Sequence, residues 1–149
     1  MFRTLPLQRL DRALGLWRAL PVVRPQGGWL HAIRGALGMT TRQLARSVGV
    51  SQGAVVDAER NEAQGDITLN TLGRYADALG CDVFYALVPR RPLALTVEAQ
   101  AQKVAQDEVA RVREAMNAED REITVGQVDR EVAALRTQLL AGRRSRLWR

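Results

Sequence analysis

The sequence predicts a mainly α-helical fold: a four-helix core holding a helix-turn-helix, then a short β-strand, then a C-terminal helical extension. Three observations lead there. Apolar residues recur three and four positions apart in every long segment. Residues 39–62, MTTRQLARSVGVSQGAVVDAERNE, carry the punctuation of two short helices joined by a tight turn. One run, VFYALV at 83–88, breaks the helical period with β-branched and aromatic residues.

Residues 1–26 read as an amphipathic helix followed by a linker. Leu7, Leu10, Leu14 and Trp17 form an apolar stripe between Thr4 and Leu20, and Pro21 ends the helix. VVRPQGG then reads as irregular chain. Residues 27–80 hold the core. A helix beginning near Trp29 buries Leu30, Ile33, Ala36 and Leu37 and stops at Gly38. Thr40 and Gln43 form a capping box for a helix over 41–48, whose apolar face is Leu44, Ala45 and Val48. Gly49 stands where the turn calls for a positive φ, and Val50 anchors that turn. Ser51 is a good N-cap for a second helix over 52–60. Val55, Val56 and Ala58 are expected to face inward there, and Gln52, Gly53, Ala54 and Asp57 outward. NEAQGD is a loop, and Thr68 caps a helix over 69–79 with Leu69, Leu72, Ala76 and Leu79 inward and Gly80 as its stop. Arg34 and Glu59 fall on helices that should cross, so an ion pair between them is expected to set the angle of the second helix.

Residues 81–91 are expected to be a short strand and a linker. A lone strand leaves its amides unsatisfied. Its partner would be the linker near Val22 and Val23, a symmetry-related copy or another protein, with self-pairing or a local partner favoured. Residues 92–142 are expected to be helical. Thr96 caps a helix to Met116 lined by Val97, Ala101, Val104, Val112 and Met116. A second capping box at Thr124 and Gln127 opens a helix whose Val125, Val128, Val132, Leu135 and Leu139 keep heptad spacing. That seam either packs on the preceding helix or meets a dimer mate or other partner, which makes Val97, Val104, Val128, Val132, Leu135 and Leu139 candidate interface residues. Residues 143–149 are a basic tail, read either as a contact for a polyanion or as a solvated run.

Charge and composition narrow the chemistry. The chain has 149 residues and a formal net charge of +6, with one lysine, Lys103, among its 22 basic residues. Basic residues concentrate at the ends: five arginines against one aspartate in 1–26, and four arginines with no acid in 143–149. Basic ends flanking a helix-turn-helix suit a polyanion. Cys81 is the sole cysteine, which excludes an intrachain disulfide and fits a reducing cytoplasm. It reads as a small buried hydrophobe. The N-terminus lacks the pattern of a signal peptide. There is no cysteine–histidine set for zinc, no glycine-rich phosphate loop, and one histidine, His31, read as a helix-surface residue. An enzyme is not expected, nor is any cofactor.

The expected partner is duplex DNA. The second helix of such a motif enters the major groove by its N-terminal end. Gln52 can offer adenine both a donor and an acceptor, Ser51 can bond a base or phosphate, and Ala54 can touch a thymine methyl. Asp57 either accepts from a cytosine amine or pairs with Arg60. Thr41, Arg42, Arg46, Arg60 and Asn61 are candidates for the DNA backbone, with Thr41 at a helix N-terminus that favours anions. One such domain covers little DNA, so a homodimer reading two half-sites is expected.

The span GWLHAIRGALGMTTRQLARSVGVSQGAVVDAE resembles Cro/C1-type (xenobiotic-response-element type) regulators. More narrowly, LQRLDRAL, RPQGGWLHAIRGALGMT, ITLNTLGRYADALGCDVFYALVP and QAQKVAQDEVARV, in that order, resemble the mobile mystery protein A family, over residues 5–116. Members of that family are typically encoded beside a Fic-domain protein, a class that transfers AMP onto protein hydroxyls. The resemblance implies an autorepressing antitoxin of a toxin–antitoxin pair with a Fic-type toxin, or an antitoxin that mainly masks its partner. The chain departs from the inhibitory helix of known Fic regulators: no Ser or Thr has Glu four positions on. Inhibition would then need another route, such as covering the toxin's active site with helix 96–116 or 124–140.

Overall fold

The computed structural model describes residues 6–21, 23–116 and 124–148. The expected helix start at Thr4, Val22 as a strand partner, the loop after Met116 and the last arginine of the tail lie outside them. Seven α-helices and one 3-10 turn are present among the described residues. The chain divides into two units. Leu20–Ala86 form one, and the N-terminal helix with the segment from Leu87 onward forms the other.

The first unit holds α2 (Gly28–Ala36), α3 (Thr41–Val48), α4 (Gln52–Gln64) and α5 (Leu69–Ala78). Its core is Leu30, Leu44, Ala45, Val55, Ala58, Tyr75 and Leu79. Leu44 and Val55 are fully buried, so truncating Leu44 to alanine costs about 2–5 kcal/mol. Small Ala45 and Ala58 let α3 and α4 approach closely. The helix starts follow the sequence. Thr40 and Gln43 close a capping box, with Gln43 N donating to Thr40 Oγ1 at 3.2 Å and Thr40 N to Gln43 Oε1 at 2.8 Å. Thr68 accepts from Thr71 N at 3.1 Å.

Several inward assignments are corrected. Ala36 and Leu37 are exposed, because α2 has already turned away from the core by its last residues. Leu69, at the first position of α5, is half exposed, and Val56 on α4 is 47 % exposed. Tyr75, further along α5, is buried in the core.

The expected strand is absent. Residues 81–89 carry no regular secondary structure, and Phe84, Tyr85 and Leu87 are exposed. No strand occurs among the described residues, and β propensity without a partner makes no sheet. The start of the segment instead borders an apolar cleft of about 300 Å³ between Trp29, Ile33, Leu72, Leu79 and Phe84. Cys81 is half-buried against the core.

The second unit is built from α1 (Leu7–Arg18), α6 (Leu93–Met116), α7 (Val125–Ala141) and the 3-10 turn Arg144–Trp148. Helix α6 begins three residues before the expected cap. Thr96 lies inside it, and its N-terminus is closed by Asp11 of α1, which accepts from Leu93 N at 2.6 Å and Ala94 N at 2.9 Å. A carboxylate there satisfies orphan amides and opposes the positive end of the helix dipole. Helix α7 packs on α6 in the same chain. Val128, Val132, Leu135 and Leu139 meet Ala105 and Val109, so the heptad seam is occupied internally. The buried face of α6 is Ala101, Ala105 and Val109. Val97 and Val104 are half-buried, while Val112 and Met116 are exposed. Alanines at the contact let α7 come close and displace the larger valines to the flanks. Thr124 N donates to Gln127 Oε1 at 3.0 Å at the start of α7.

Candidate nucleic-acid interface

The turn between α3 and α4 fixes everything downstream of it. Gly49 has φ +79°, a conformation that costs a residue with a Cβ about 1–2 kcal/mol. Its amide and that of Val50 both donate to Ala45 O, at 2.9 and 3.0 Å. Ser51 then caps α4, its hydroxyl accepting from Ala54 N at 3.1 Å. On α4, Val55, Ala58, Glu59 and Glu62 are buried. Gln52, Gly53, Val56, Asp57 and Arg60 are exposed. This outward stripe follows the helical repeat, with the least bulk at its N-terminal end.

Gln52 is tethered as well as exposed: its Nε2 donates to Thr41 Oγ1 at 2.9 Å. That bond uses one amide hydrogen and leaves the second hydrogen and the carbonyl oxygen for a bidentate contact. It also links the start of α4 to the start of α3, a helix whose Arg42, in the first turn, and Arg46, in the last, are both exposed. Ala54 is half-buried, and its carbonyl accepts from Tyr75 Oη at 3.1 Å. Burial holds the Tyr75 phenol above its ordinary value of 10.0, outweighing the pull of Arg74, so the phenol stays a donor. Asp57 pairs with Arg60 on the helix surface, which engages both residues locally. Asn61 is half-buried, and its carbonyl accepts from Asp66 N at 2.8 Å at the end of α4.

The inner side of α4 carries two buried carboxylates, three residues apart. Glu59 receives Arg34 in a two-pronged contact, one arm through Nε and the other from Nη2 to Oε2 at 3.1 Å. His31 Nδ1 lies 3.1 Å from the same Oε2. Arg34 Nη1 also donates to Met39 O at 2.8 Å, which ties the pair to the loop before α3. Burial pushes the Glu59 carboxyl up, but Arg34 and His31 outweigh it and hold the group below its ordinary 4.5. Arg34 is correspondingly raised, chiefly by its hydrogen bond to Glu59.

Glu62 is 4 % exposed and sits at the N-terminus of α2. It accepts from Leu30 N at 3.4 Å and lies 3.5 Å from Arg24 Nη2, which also donates to its backbone carbonyl. Gly28, at φ +86°, makes room: a Cβ there would collide with the Glu62 carboxylate. Sequence reasoning missed Arg24, Gly28, Glu62 and Tyr75 as parts of this support. Two acids spaced i, i+3 on the face that also carries Val55 and Ala58 were the available signal.

Residues 30–85, from α2 through α5, match the family model described as helix-turn-helix. No curated protein and no solved structure matches the chain. The segment is similar to that helix-turn-helix family, whose architecture suggests a DNA-binding regulator. No helix among the described residues is long and apolar enough to cross a membrane.

Proposed function

We propose that this protein is a sequence-specific transcriptional repressor that reads duplex DNA through the N-terminal half of α4. The observation that supports this most is the outward stripe opened by Gln52, backed by buried Glu59 and Glu62. The first turn of α4 is exposed on one side and fastened on the other. Gln52 is the base reader, approaching an adenine edge with its remaining donor and its carbonyl. Exposed Val56 adds an apolar contact for a thymine methyl beside it. Arg42 and Arg46 take phosphates, as does the N-terminus of α3 at Thr41. Arg60 is held by Asp57 and contributes less. The protein works by binding rather than catalysis, as a homodimer on two half-sites about one helical turn apart.

The resemblance to the mobile mystery protein A family supports a narrower reading. In it the operator is the protein's own promoter, and the protein is the antitoxin of a Fic-type toxin. Because the α7 seam packs within the chain, a toxin would meet the exposed surfaces of α6 and α7. Masking by those surfaces, with DNA binding secondary, is the alternative. A titration of labelled DNA from upstream of the gene tests the main reading. It predicts selective binding over scrambled duplex that weakens steeply with salt. Equal binding to both duplexes rejects the reading. Co-purification with the product of the adjacent gene tests the pairing.

A further inference from the structure

The basic run at the C-terminus is not a loose tail. Arg144–Trp148 wind into a 3-10 turn. Leu147 is 0 % exposed, and its carbonyl accepts from Gln100 Nε2 of α6 at 2.6 Å. This anchoring holds Arg143, Arg144 and Arg146 together with all three exposed. Among the described residues none of the three lies within ion-pair distance of a carboxylate. Three like charges within four positions repel one another, and the buried leucine fixes the backbone that carries them. Such a cluster is relieved by a polyanion. Guanidinium forks match phosphate oxygens in pairs, and the backbone that carries them is already ordered, so little entropy is lost on contact.

We propose that this docked turn is a second, sequence-independent phosphate contact on duplex DNA, separate from the α4 face. The assignment rests on the DNA-binding reading above, which makes duplex the polyanion this chain engages. It adds affinity without adding base preference, because phosphates carry no sequence.

The test is a DNA titration between about 50 and 200 mM salt, where phosphate contacts dominate the response. It compares the wild type with R143Q/R144Q/R146Q and R143K/R144K/R146K. The glutamine variant is expected to flatten the log–log salt slope by about 0.9 for each phosphate it no longer neutralises, up to roughly three units per protomer. Its weakening should be equal on operator and scrambled duplex, and the lysine variant should restore most of the slope. All three sites are exposed, so a melting curve should match the wild type. A glutamine variant with wild-type slope and affinity overturns the proposal while leaving the α4 reading intact. Weakening confined to the operator, or no rescue by lysine, also overturns it. Wild-type protein that binds no duplex at all overturns the α4 reading and this proposal together. Flotation with anionic-lipid vesicles that depends on the arginines, beside an unchanged duplex slope, would assign the turn to a lipid surface and overturn the proposal.

Discussion

Glu59 does two jobs that the sequence only half displays. Its charge was legible as a mate for Arg34, since both fall on helices expected to cross. Its burial, and the third member His31, depend on how α2 and α4 are rotated, and helical period alone leaves that rotation open by a residue or more. The same uncertainty misplaced Val56, one step from buried Val55, whereas Leu37 and Leu69 are exposed because they stand at helix ends. The pair has a pH signature. Glu59 titrates below its ordinary 4.5 when folded. Its stabilisation is therefore fully present above that value and disappears as the pH falls through the lower folded one. Glu59→Gln should lower stability at neutral pH and flatten the acid limb of a denaturation profile. Arg34→Ala strands a mostly buried carboxylate and should cost on the order of 3 kcal/mol. In a domain this small that is a drop in melting temperature of roughly 10 °C or more. An unchanged melt would remove the pair from the account of how α4 is held.

Helices were read from sequence more securely than the way their ends are closed. Caps built from neighbours in the chain, at Thr40, Ser51, Thr68 and Thr124, were visible because the partner is three residues away. Caps supplied from a distance were not. Asp11 closes α6 from 82 positions back, and Glu62 closes α2 from 32 positions ahead. Asp11→Ala should therefore destabilise the C-terminal unit by about 0.5–2 kcal/mol, read as an earlier melt and faster exchange of the Leu93 and Ala94 amides. Gly28→Ala is the matching test for α2. The left-handed backbone and the displaced Glu62 carboxylate together should cost about 1–3 kcal/mol, whereas alanine at exposed Gly35, in the last turn of α2 with open space around it, should stabilise slightly. The failed strand belongs at this scale too. Val83–Val88 has the composition of a strand, but a ladder is a property of two segments, and sequence shows only one.

At the scale of the molecule, the helix-turn-helix stood out because turn glycine, cap and apolar spacing all point the same way. The partition of the chain did not. The N-terminal helix, separated in sequence from the C-terminal helices by the whole helix-turn-helix unit, groups with them. The α7 seam, which on spacing alone fits an interface equally well, is filled by α6. A second protomer, if the protein pairs as proposed, would meet other surfaces. A dimer predicts that sedimentation in the presence of a two-half-site duplex gives two chains per DNA, and that lengthening the spacer by half a helical turn abolishes the tighter complex. One chain per duplex, indifferent to spacing, would contradict it.

What most needs testing is the proposed reading of bases by the first turn of α4. Selection from a random duplex library by the wild type and by Gln52→Ala tests it most directly. One enriched motif is expected for the wild type, with preference at a single adenine position weakened in the variant by about 1–3 kcal/mol while the other positions stand. Identical motifs from both proteins, or no enrichment at low ionic strength, would contradict it.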